Sequence, residues 1–311
     1  MSAAVRGREL AAPWPVPEVE IVTGERLQAL AEITLLPRMI ARRGRGPRPG
    51  TTEVIEFETH RELDEEELSR LSRARSIFLY TDALALFKKH VWPRLTGSGY
   101  TLVTHNSDHE IGAAELPWVE EAGEKLRKWF AQNLLVRHPK LSPLPIGIAN
   151  RRWPHGDTAL LSEVAAEAIP NTHLIHAAFD LETHPDRRRA WEAVHRAFPD
   201  LPRPGAGQLS YGDYLRDLSR HRFCACPRGN GIDTHRFWEC QYLGVTPVVE
   251  QSAHTDLWAS EGCPMVALDD WSDLTPDRLE TEATARPPRP APCLRLSHHA
   301  DRLDILRRPR G

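Results

Sequence analysis

The sequence predicts an α/β protein made of two Rossmann-like, parallel-sheet halves, and three observations lead there. Short apolar runs alternate with amphipathic helical stretches along most of the chain. The alternation restarts near residue 170, as if a second unit began. A glycine-bearing loop sits where a late strand hands over to a helix. Strands separated by helices of this length form right-handed βαβ units, hence parallel sheets. Such sheets bind ligands at the carboxyl ends of their strands, so the loops after strands are the ones to read.

Each element follows from local pattern. An acidic amphipathic stretch, 62–74, leads into the apolar run Ile77-Phe78-Leu79-Tyr80, read as a strand. A helix over 83–92 precedes a strand over 100–104. Residues 118–135 place Trp118, Ala122, Leu126, Trp129, Phe130 and Leu134 on one face at helical spacing, which predicts a helix. Residues 144–148 read as a short strand, 158–169 as a helix, 173–179 as a strand and 185–198 as a helix. Ahead of that last helix, Thr183 and Asp186 have capping-box spacing. Helix 211–220, strand 222–226, helix 234–243 and strand 246–249 follow, with one more pair ending near 265–268. The resulting division is a flexible N-terminus over 1–18, a first Rossmann-like domain over 19–168 and a second over 169–281. The Pro- and Arg-rich stretch 282–311 is expected to be a flexible tail.

Composition narrows the function classes. The 311 residues are 41% apolar and 27% charged, with a formal net charge of -3, enough for two cores. No run approaches the roughly 18 apolar residues of a membrane helix, and the first residues lack a secretory apolar core, so a cytoplasmic protein without an integral membrane segment is expected. The mildly acidic balance argues against bulk nucleic-acid binding. An odd number of cysteines, five, does not make a disulfide framework. Of the 40 basic residues 35 are Arg, most of them a matter of composition, yet the Arg fork suits phosphate in a way that Lys does not.

The most informative segment is Phe223 to Cys240. Gly229 and Gly231 let backbone amides approach a ligand closely, and Asp233 or Thr234 can cap the helix that follows. That helix points free N–H groups and the positive end of its dipole at the same spot. Arg228 and Asn230 lie in the loop, His235 and Arg236 in the first turn, and Glu239 one turn on from Arg236. Phosphate for the amides and arginines, and a hydroxyl pair for the carboxylate, would suit a nucleoside diphosphate. A tight turn with a surface Arg236–Glu239 pair is the plainer alternative. Cys224, Cys226 and Cys240, with His221 and His235 nearby, have no common zinc spacing and read as core residues.

Taken as a whole, the string Cys226-Pro227-Arg228-Gly229, then Arg236 with Trp238-Glu239, then Gly244-Val245-Thr246-Pro247-Val248-Val249 resembles the donor-binding motif of exostosin-like and related two-domain glycosyltransferases. The resemblance is specific over about 210–250. It implies a GT-B-like fold, with the two halves facing across a cleft, and a metal-independent, inverting transfer of a sugar from a nucleotide-diphosphate sugar to an acceptor hydroxyl, without a cofactor. By it, Arg236 would hold the donor diphosphate, Glu239 the ribose hydroxyls, and Arg228 with the amides around Gly229–Gly231 the departing charge. Asp108, or else His105, would be the base that deprotonates the acceptor.

Two other loops follow strands. Thr104 to Glu110 packs two histidines, an aspartate and a glutamate together. Base catalysis, metal binding and an Asx-type turn made by Asn106, Ser107 and Asp108 are all open readings of it. In the second half, Thr183 and Arg187 stand at a helix start that could face the donor, while Arg188 and Arg189 read as solvated. Two features depart from the transferase pattern: a short first half, and a tail without a long returning helix. A non-catalytic nucleotide- or nucleotide-sugar-binding relative is therefore the first rival. A metal-dependent hydrolase using His105, Asp108, His109 and Glu110 is the second.

Overall fold

The computed structural model describes residues 15–38, 52–57, 63–202, 209–282 and 291–307. Its first half is a six-stranded parallel sheet of β1 (Ile33–Pro37), β2 (Glu53–Phe57), β3 (Ser76–Tyr80), β4 (Tyr100–His105), β5 (Leu126–Ala131) and β6 (Leu141–Pro143). The order across the sheet is β2, β1, β3, β4, β5, β6. Central β3 and β4 are buried along their whole length, as strands covered on both faces must be, whereas edge strand β2 alternates exposed and buried positions. The chain leaves β1 for β2 on one side and returns as β3 on the other, so a crevice opens at the carboxyl ends there.

The second half is a four-stranded parallel sheet in simple sequence order: β7 (His173–His176), β8 (His221–Ala225), β9 (Thr246–Glu250) and β10 (Val266–Leu268). The helices are α1 (Gly24–Ala29), α2 (Glu65–Arg73), α3 (Leu116–Glu121), α4 (Thr158–Ala166), α5 (Pro185–Ala197), α6 (Tyr211–Ser219), α7 (His235–Leu243), α8 (Ala253–Ser260), α9 (Pro276–Glu282) and α10 (Leu296–Arg307). Trp191 and Val194 of α5 cover one face of the second sheet together with Phe223 and Val248. The other face packs Cys224 and Val249 against Leu161, Leu215 and Trp238 of α4, α6 and α7. Gly244 ends α7 in the left-handed region at φ 68°, which suits glycine at a helix C-terminus.

Several expectations are corrected. The helix expected over 118–135 is instead α3 followed by β5. Gly123, at φ 49°, breaks the helix, and Trp129 then pairs with Leu102 of β4 and donates its indole N–H to Thr104 Oγ1 at 2.9 Å. Sheet pairing thus overrides a local helical periodicity. The stretch 83–92 forms a run of short helical turns between Thr81 and Arg94. The strand expected over 144–148 is interrupted by Gly147 at φ 64°, where an added Cβ would meet the Val22 carbonyl at 2.3 Å. Strands β1 and β2 have no counterpart among the expected elements. The capping box expected at Thr183 is absent: His184 caps α5, its Nδ1 accepting from Asp186 N at 3.2 Å.

Both ends also differ from expectation where they are described. Val16 is buried, and Glu18–Glu20 form a helical turn, so looseness up to residue 18 does not hold; 1–14 lie outside the described residues. The tail is corrected more strongly. Ala291, Cys293, Leu294 and Leu303 are buried. Arg295 bridges to Ile21 in antiparallel fashion, and Ser297 N donates to Glu20 Oε2 at 2.9 Å. Leu303 joins Val22, Leu27 and Phe130 in the first half. The Tyr242 hydroxyl ties three segments together, donating to Leu294 O and accepting from Val22 N. The Pro/Arg-rich run misled because its apolar residues come only after it, at a spacing that composition hides. Residues 283–290 and 308–311 lie outside the described residues.

This return buries His299, whose Nε2–H donates to Cys293 O at 2.8 Å. Burial pushes its pKa down to about 3. The unfolded chain therefore binds a proton that the folded chain refuses between about pH 6.5 and 3. The stabilisation is present in full above about 6.5 and is lost as pH falls through that window. Urea unfolding at stepped pH is expected to show this loss, and His299→Gln to flatten it.

Candidate functional site

A cleft of about 680 Å³ opens between the halves, at the carboxyl end of β8. Its floor is the loop Cys226–Thr234 and the first turn of α7. The loop is a closed turn, with Gly229 N donating to Gly231 O at 3.1 Å. At Gly231 an added Cβ would lie 3.1 Å from Asn133 Nδ2, so the loop is pressed against the first half. Thr234 stands at the N-cap of α7 in extended conformation, and its side chain makes no capping hydrogen bond. Thr234, His235 and Arg236 of this helix start line the cleft, which sets the positive end of the dipole beside it, while Phe237 N is taken by Thr234 O at 3.1 Å.

Two arginines converge there. Arg187 enters from α5, with Nε donating to Arg228 O at 2.8 Å and Nη1 to Asp180 O at 3.0 Å. Its Nη2 lies 3.3 Å from where a Gly229 Cβ would be, and Thr183 Cγ2 is 3.8 Å from the same point. Arg236 enters from α7, its guanidinium carbon 5.6 Å from the Tyr214 ring centre. Among the described residues its Nη1 is buried and has no hydrogen-bond partner. Burial, and after it the charge of Arg236, lowers the pKa of Arg187. Two guanidinium groups held close in a recess repel each other unless an anion lies between them.

Beside this cation pair is a carboxylate. Glu239 is 4% exposed and accepts from Tyr211 Oη at 3.2 Å and Tyr214 Oη at 2.9 Å. Burial, and then Glu239, raises the Tyr211 pKa, so this hydroxyl stays a donor. The i, i+3 spacing of Tyr211 and Tyr214 on α6 is the sequence signal for this pair of donors.

The remaining anticipated residues are distributed differently. Arg228 reaches across to Glu110 at 2.9 Å and to Asn230 O at 3.1 Å. Asp233 is buried and acts as a strut: Oδ2 accepts from Ile146 N at 2.7 Å and Oδ1 from Trp238 Nε1 at 2.8 Å. His235 packs Nδ1 against Gly147 O at 2.7 Å. Asn230 and Thr234 line the cleft. Arg188 pairs with Glu182, and Arg189 with Glu250 and Asp270, away from it.

From the first half, Asp108 is exposed and lines both this cleft and an adjoining recess of about 490 Å³. His105 is 1% exposed, with Nε2–H donating to Pro145 O at 2.9 Å and Nδ1 3.2 Å from Asn106 Oδ1. Burial lowers its pKa, so it is a neutral brace for the loop. His109 pairs with Asp82, and Glu110 with Arg228, which draws these two side chains to separate partners. Among the described residues, the group whose donor atoms could share a metal ion is Cys224, Cys226 and Cys240, all buried and within 4.8 Å of one another.

Asn133 joins the halves, and the helix expected over 118–135 hides it. It is buried, at φ 54°. Its Oδ1 accepts from Asp233 N at 3.0 Å, and its Nδ2 donates to Ser107 O at 3.0 Å. Asn133→Ala leaves the buried Asp233 N unpaired, whereas Ser107 O keeps its bond from Gln132 Nε2 at 3.0 Å, and a loss of about 1–3 kcal/mol in urea unfolding is expected.

No family model matches the chain, and no curated protein matches it. Among solved structures it is similar to a 5-methylthioribose transporter solute-binding protein from Thermotoga lettingae TMO, in complex with 5-methylthioribose. The identity is 10% and the TM-score 0.23, over 74% of this chain and 70% of that one. The expectation of glycosyl transfer is corrected here. At the site, His105, one of the two groups expected to move the acceptor proton, is buried and spends its Nε2–H on Pro145 O.

Proposed function

We propose that the cleft binds a phosphorylated, hydroxyl-bearing small molecule, of which a nucleotide or nucleotide sugar is the class that fits, and that the protein works by binding it rather than by transferring it. The observation that carries this reading is the buried, unpartnered Nη1 of Arg236 beside Arg187 and the uncapped start of α7. A buried donor without a partner costs about 1–3 kcal/mol, and more when charged, so the site favours a ligand that supplies an acceptor. Phosphate oxygens match two forked guanidinium groups and a helix N-terminus. Glu239, carried by two tyrosines, offers remaining lone pairs to hydroxyls a few ångströms away. In fold, the two Rossmann-like halves would face each other as in GT-B-like architecture, which says nothing of chemistry.

The test is a thermal-shift panel of nucleoside mono- and diphosphates, their sugar conjugates, and the matched nucleosides and free sugars. Stabilisation by the phosphorylated members, with the ligand recovered unchanged, is expected. A response to uncharged sugars alone would remove the anion site from the account.

A further inference from the structure

We propose that Cys263 and Cys293 are a redox pair whose disulfide locks the returning C-terminal segment onto the second half; this is independent of the ligand reading. Their sulfurs lie 2.7 Å apart. A disulfide needs about 2.0 Å, so closure asks for well under an ångström of movement. The other near pair, Cys226 and Cys240, stands at 3.8 Å.

Position gives the bond its effect. Cys263 follows α8, its N–H donating to Trp258 O at 3.0 Å. Cys293 lies 30 residues on, in the helical turn Pro292–Leu294 from which the chain crosses to the first half. Both side chains are buried in one cluster with Trp258, Ala291 and Leu294. The return is also held by Tyr242 Oη on Leu294 O, the Arg295–Ile21 bridge, Ser297 on Glu20, the Arg302–Glu261 pair and Leu303 in the first core. A covalent tie at Cys293 would fix its start and restrict the unfolded chain.

Glutathione disulfide is a sufficient oxidant. While the segment is undocked, one cysteine thiolate attacks a glutathione sulfur, forming a mixed disulfide and releasing one glutathione thiolate. The second cysteine thiolate then attacks the protein-bound sulfur, closing the Cys263–Cys293 bond and releasing the second glutathione. Two protein thiols are oxidised, one glutathione disulfide is reduced to two thiols, and the two protons pass to the departing thiolates. Redocking then buries the bond.

The test equilibrates the full chain in glutathione buffers from reducing to oxidising, traps thiols with an alkylating agent in denaturant, and maps peptides by mass. A linked Cys263–Cys293 peptide, two hydrogens lighter, is expected, with Cys224, Cys226 and Cys240 alkylated. The oxidised chain should melt about 5 °C or more above the reduced chain, an increment that Cys263→Ala and Cys293→Ala both abolish. Should those variants fail to fold, the map on the unaltered chain still decides. Alkylation of both cysteines at every ratio, a link through other cysteines, or equal melting of the two forms would overturn the proposal.

Discussion

Replacing Arg236 with Ala is expected to weaken binding of a nucleoside diphosphate by about 100-fold or more, while the melting temperature moves by only a few degrees. The estimate rests on two lost charge-assisted hydrogen bonds at about 1.5 kcal/mol each. Stability is largely spared because Nη1 has no protein partner to lose, and because Arg187 is relieved of a neighbouring charge. Arg236→Met keeps packing beneath the Tyr214 ring and should bind as poorly as the alanine variant. Arg188→Ala is the contrast: that side chain pairs with Glu182 away from the cleft, so binding should be unchanged. Calorimetric titration of the three variants separates a phosphate-holding group from a merely basic surface. Undiminished binding by Arg236→Ala would remove it from the site.

Deleting residues 291–311 is expected to produce the largest loss of stability. The cut strips Cys293, Leu294 and Leu303 from two cores and uncovers Val16, Ile21, Val22 and Phe130. At about 1.5–3 kcal/mol for each large apolar side chain lost, the penalty is roughly 5 kcal/mol. A shift of about 2–4 °C per kcal/mol then lowers the melting temperature by more than about 10 °C, or leaves the chain unable to fold. A calorimetric melt checks this, and a truncated chain melting with the full one would contradict the docking of α10.

The legible parts of the fold were those whose local pattern agrees with their environment. The runs at 77–80, 100–104 and 246–249 are strands, and α5, α6 and α7 start and stop within a residue or two of their periodic signals. What failed was non-local. Trp129 and Phe130 sit at helical spacing from Trp118 and Ala122, and only pairing with β4 decides that they belong to a strand. The same helical periodicity conceals Asn133, which bridges the halves. The docking of Leu294 and Leu303 depends on surfaces some 270 residues earlier in the chain, which no window of sequence contains. In the site, the loop from Arg228 to Arg236 and its helix start were legible because glycines and caps act locally. The partners of Arg228, Asp233 and His105 were not, since Glu110, Ile146 and Pro145 reach them only through the fold. The arginine excess divides accordingly, with Arg236 and Arg187 converging on the cleft and Arg188 and Arg189 spent in surface ion pairs.

On the proposed reading, the cleft between the two sheets holds an anion through Arg236, Arg187 and the start of α7. Calorimetric titration of the full chain with a nucleoside diphosphate, beside the matched nucleoside, tests it most directly. Saturable binding of the diphosphate that weakens as salt is raised, with at least about tenfold weaker binding of the nucleoside, is expected. Equal affinity for the two, or heat from neither, would contradict it.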